Sequence, residues 1–79
     1  MATDELVEAE RIYLARLLEA RLMSLGDEHS NGRGPASRIL AEFITVASIF
    51  VKLRLPMEHL HRGARYLSLC LEEGGSRET

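Results

Sequence analysis

Apolar residues recur along this chain at spacings of three and four, in three long runs interrupted by clusters of glycine and proline. Side chains so spaced share one face of a helix, whereas a half-buried strand alternates apolar and polar positions. The pattern predicts an all-α fold of one domain over 1–79: a helical hairpin plus a third helix, with helices over about 4–25, 35–54 and 56–73, a flexible loop over 26–34 and a polar tail over 74–79.

In the first predicted helix Thr3 or Asp4 is placed to cap the amino end, and Asp4, Glu5 and Glu8 put negative charge at the positive end of the dipole. Gly26 follows the last apolar residue, where a left-handed closing position favours glycine. On a wheel of about 100° per residue, Leu6, Ala9, Tyr13, Leu17 and Ala20 form one apolar stripe. Val7, Leu14, Leu18, Leu22 and Leu25 form a second, and Glu10 and Arg21 separate the two.

The second predicted helix opens at Pro35, which suits a first helical position, with Ser37 as a further cap. Its polar strip is narrow: Arg38, Glu42, Thr45, Ser48 and Lys52. The rest of the circumference is apolar, much wider than the arc of ~100° or slightly more that a surface helix of a globular domain shows. Pro56 restricts Leu55 to extended conformations and so ends this helix while opening the next. In the third helix Met57, Leu60, Ala64, Leu67 and Leu71 line one apolar face. Gly63 flanks that face, where a missing side chain admits a close backbone, and Gly74-Gly75 is expected to stop the helix.

Three helices folded on one another bury roughly one stripe each. The first two carry nearly twice that, and each buried Leu, Ile or Phe is worth roughly 1.5–3 kcal/mol. The surplus predicts completion by homodimerisation, or an obligate partner of another kind covering the same surface. The residues expected in that interface are Tyr13, Leu14, Leu17, Leu18, Phe43, Val46, Ile49, Phe50 and Leu53.

Charge changes this picture little: 10 basic against 12 acidic residues, formally −2, disfavours a nucleic-acid footprint without deciding against a local one. Lys52, Arg54, His61, Arg62 and Arg65, with His59 beside them, make such a local basic region after a tight helix-helix connection, as in a helix-turn-helix unit. Against that stand Glu58, Glu72 and Glu73 and the lack of Asn and Gln for reading base edges.

Composition narrows the chemistry further. The single cysteine, Cys70, forms no intrachain bridge and suits a reducing compartment, and beside Leu67 and Leu71 it reads as a buried structural thiol. The acidic start predicts no secretory leader. The apolar run Ile39 to Val51 contains Glu42 and is shorter than the ~20 residues a membrane span needs. A cytoplasmic setting without membrane partners follows as the expectation. His59 and His61 point about 200° apart on a helix, so they do not share a metal ion easily and read as solvated. The glycine-rich loop lacks the Gly-Lys-Ser/Thr end and the preceding strand of a phosphate loop. With no acid pair, nucleophile elbow or cofactor fingerprint, the sequence predicts no cofactor, metal, catalytic residue or small-molecule substrate. The functional expectation is a non-enzymatic interaction module that regulates or chaperones a partner protein by masking an apolar surface. The alternative is a dimeric helix-turn-helix-like regulator binding DNA through the basic face of the third helix.

Overall fold

The computed structural model describes residues 6–33 and 35–77, with 73–77 as backbone alone. Among these residues there are three helices and no strand: α1 (Glu8–Ser30), α2 (Ala36–Leu53) and α3 (Met57–Arg77). No helix is long and apolar enough to cross a membrane among the described residues. The proposed caps Thr3 and Asp4 lie outside them. α1 instead opens at Val7, whose N–H donates to the Glu10 carboxylate at 3.0 Å, satisfying one of the amide donors that a helix start leaves over.

α1 runs past the expected stop at Gly26. Gly26 is buried in the interior of the helix, under the third helix: a Cβ there would meet Cys70 Sγ at 2.9 Å and the Tyr66 ring at 3.0 Å. Its missing side chain serves packing, not termination. The stop comes at Gly32, the glycine with positive φ (77°). There Gly32 N–H donates to His29 O and Arg33 N–H to Glu28 O, the paired bonds that close a helix through a left-handed residue. Two signals thus compete for one role, and burial decides between them.

α2 matches its predicted span closely. It closes by the same geometry around Arg54, in the left-handed region at φ 56° without being glycine. Leu55 N–H donates to Phe50 O, and the turn drives Leu55 into the core at 3% exposure. α3 begins right after Pro56 and continues through Gly74 and Gly75 to Arg77, so those glycines are not its stop. Glycine lowers helix propensity by about 1 kcal/mol against alanine, which weakens a terminal turn without forbidding it.

The helices run up, down and up. Glu19 meets His59 and Arg62, Leu22 lies over Gly63, and Gly26 lies under Tyr66 and Cys70, so α1 and α3 are parallel. Arg21 pairs with Glu42 of the returning α2. The α1–α3 pair is the most closely packed. At Gly63 the approach is tightest: an added Cβ would come within 2.5 Å of Leu22 Cδ1 and 3.1 Å of Leu22 Cβ. The core is one cluster drawn from all three helices, with Ala15, Leu22 and Leu25 of α1, Ile39, Val46 and Phe50 of α2, and Leu55, Leu60 and Leu67 behind them.

Candidate interaction face

α2 sends its apolar arc in two directions. Ile39, Val46 and Phe50 point inward and are buried. About 120° around the wheel, Leu40 (53% exposed), Ile44 (66%) and Val51 (66%) point to solvent. Ser37, Ala41 and Ser48 lie beside them, also exposed, and Ala47 between them is half-buried. The charged residues of this stretch are placed elsewhere. Glu42 turns to α1, where Arg21 donates to it through two nitrogens at 2.6 and 3.1 Å, and Arg38 sits on the far polar strip. The result is an exposed helix face without charge from Ala36 to Val51.

That face continues into a groove between α2 and α3 of about 380 Å³, lined by Ile39, Leu40, Phe43, Ala64, Leu67, Ser68 and Leu71, with Glu72 at its end. Leu40 belongs to both features, so stripe and groove form one apolar surface. Covering such surface is favourable at roughly 25 cal/mol per Å² removed from water.

The structure distributes the expected interface residues over two environments. Val46 and Phe50 belong to the monomer's own core, Phe50 with no exposure at all, so in this fold they are not open to a second chain. Leu14, Leu18, Phe43 and Ile49 are partly buried against that core. Tyr13, Leu17 and Leu53 are exposed. Of the two stripes on α1, the one holding Leu22 and Leu25 faces inward and the one holding Tyr13 and Leu17 faces out. The exposed trio Leu40, Ile44 and Val51 was not among the expected residues. Its signal was present, since an arc wider than the core can use has to surface somewhere, but the wheel does not say which edge.

A polar cluster pins the opposite flank. His59 is 7% exposed, contrary to its expected place in solvent, because α1 lies over it. Its Nδ1 is 2.8 Å from Glu19 Oε1 and donates to that carboxylate. Arg62 donates to the same carboxylate through Nε (3.1 Å) and NH2 (3.3 Å). These bonds, Arg62 first and His59 after burial's opposing effect, hold the Glu19 pKa below its usual 4.5. Glu42 is lowered in the same sense by Arg21. Further along, the Tyr66 hydroxyl donates to Asp27, which with desolvation pushes the phenol up to about 12. Glu19 and His59 are 40 residues apart, and no local spacing announces their pairing.

The basic region is divided by the same contacts. Lys52, Arg54, His61 and Arg65 are exposed, whereas the Arg62 guanidinium is engaged by Glu19. Cys70 is a buried free thiol. Comparison with family models, with curated proteins and with solved structures finds no match for this chain.

Proposed function

We propose that this protein is a non-enzymatic interaction module that works by covering an apolar surface of a partner chain with the outer face of α2 and the adjoining α2–α3 groove. One observation carries the reading: a four-turn helix face with Leu40, Ile44 and Val51 in solvent and no charge between them. A helix laid against such a face meets anchors at helical spacing, the recognition mode of amphipathic helices in grooves. A homodimer is one form that assembly takes, and a regulated or chaperoned target is another. The DNA-binding alternative gains less support, because Arg62 is committed to Glu19 and Glu58 shares its helix.

The test compares immobilised wild-type chain with Ile44→Asp as bait in a cell extract. Ile44 is exposed, so the variant keeps its helical circular dichroism. The reading expects specific proteins, this chain or another, to be retained by the wild type and lost from the variant. Identical retention by both abandons it. Binding of random duplex DNA by both chains, weakening steeply as salt rises, would transfer the function to the basic region.

A further inference from the structure

Asn31 carries the only side-chain amide of the chain, which has no other asparagine and no glutamine. It precedes Gly32 at the turn that closes α1. Asparagine is a thermolabile residue, and before glycine it has a reaction of its own. The glycine backbone nitrogen, once it loses its proton, attacks the asparagine Cγ, and glycine crowds that nitrogen least because it has no Cβ. The bond from Cγ to the side-chain nitrogen breaks, ammonia leaves, and a five-membered succinimide ring remains. Water then opens either carbonyl of the ring, giving aspartate or isoaspartate.

Two features of the closing turn oppose the attack. Gly32 N–H donates to His29 O at 2.9 Å, which holds the nitrogen in a helix-closing bond. Asn31 stands at ψ 9°, which turns that nitrogen away from Cβ, whereas the ring needs the two nearly eclipsed. The turn has to open before the ring forms. Opening disturbs little else. Ser30, Asn31, Gly32 and Arg33 are all exposed. Among the described residues, nothing beyond the chain neighbours of Gly32 stands within 4 Å of where its Cβ would be. The nearest buried residues of α1, Leu25 and Gly26, lie more than one turn back. An exposed terminal turn with so few contacts opens at a small fraction of the global unfolding free energy.

We propose that Asn31 is a self-modifying site, converted to aspartate and isoaspartate in the folded chain through local opening of the turn that closes α1. The product differs from the parent in charge and in backbone. A carboxylate appears at the carbonyl end of α1, where the helix dipole is negative and Asp27 and Glu28 already stand. Isoaspartate also places an extra methylene in the main chain before Gly32, which shifts the Gly32 and Arg33 donors from His29 O and Glu28 O. The last turn of α1 then frays, while the core contacts of Leu25 and Gly26 remain.

Because there is one side-chain amide, mass spectrometry of the intact chain reads the exchange of amide for acid at Asn31 directly. The purified chain is held at mildly alkaline pH, either native or unfolded in guanidinium chloride. The native chain should convert, at a rate about tenfold or more below that of the unfolded chain. Trypsin should release the peptide 22–33 as two products of equal mass, the aspartate and isoaspartate forms. Arg33→Pro deletes the N–H that bonds Glu28 O at 2.8 Å. It should speed native conversion several-fold and leave the unfolded rate unchanged. Glu19→Gln weakens the fold away from this turn and should leave the native rate unchanged. A native chain that stays intact while the unfolded chain reacts to completion overturns the proposal. Equal native and unfolded rates, or an Arg33→Pro chain no faster than its parent, remove the closing turn as the gate. Acceleration by Glu19→Gln in proportion to its lost stability would place the reaction in the globally unfolded chain and sink the local route.

Discussion

The α1–α3 contact and the outer face of α2 are both rich in aliphatic residues, yet they are finished in opposite ways. Between α1 and α3 glycine removes side chains where the backbones meet, and the rim is fixed by Glu19, His59, Arg62, Tyr66 and Asp27. The surface is closed, and its polar groups are bonded. On α2 Leu40, Ile44 and Val51 stand in solvent, no bonded polar pair frames them, and no described helix of the chain lies over them. The first contact specifies how the chain folds; the second supplies surface for a contact outside it. A residue's hydrophobicity does not separate the two roles, whereas the polar rim around it does.

The largest expected effect comes from forcing side-chain volume into the closed contact. Gly63→Val should lower stability by up to about 3 kcal/mol, since overpacking typically costs ~1–3 kcal/mol and the fully buried Leu22 has little room to retreat. Urea denaturation measures this, and a variant as stable as the parent would show that the two helices are not so close. Next comes the rim. Glu19→Gln should cost roughly 1.5 kcal/mol, the lower end of the scale for a hydrogen bond to a charged group, because the Arg62 partner is itself half-exposed.

The rim also sets an acid dependence with a definite sign. Because the folded pKa values of Glu19 and Glu42 lie below the usual 4.5, their contribution is full above that value and is lost as pH falls through the depressed ones. The urea midpoint should therefore decline below about pH 4.5, and Glu19→Gln should flatten that decline. A curve of equal slope in the variant would remove Glu19 from the account. The smallest effect belongs to the open face. Ile44→Ser, measured at a concentration where the chain is dissociated, should change stability by no more than about 0.5 kcal/mol; a loss comparable to that of Gly63→Val would mean that α2 packs its outer face within the monomer.

Much of the fold was legible because helix period is a local property. Three helices, the span of α2 and the value of a missing side chain at Gly63 all follow from neighbours within a few residues. What failed to show was tertiary. Gly26 carries a stop signal in its own segment, and α3 overrides it by packing Cys70 and Tyr66 where a side chain would stand. His59 reads as a surface histidine until Glu19 arrives from another helix. The surplus on α2 was legible as a quantity but not as a direction. Val46 and Phe50 were as eligible for the outside as Ile44 and Val51, and the positions of α1 and α3 settled which edge they cover.

The parallel pairing of α1 and α3 also governs the order in which the chain completes itself. The two neighbouring hairpins are local and form quickly, but the tightest docking joins segments 40 residues apart. Closing a flexible loop of that length costs about 3 kcal/mol of chain entropy, which α2 reduces by folding first as a rigid spacer. On a ribosome α3 emerges after α1 and α2, so these two wait with their inner faces unpaired until it appears. The nascent hairpin is then the species most exposed to premature association, and the arrival of α3 ends that interval.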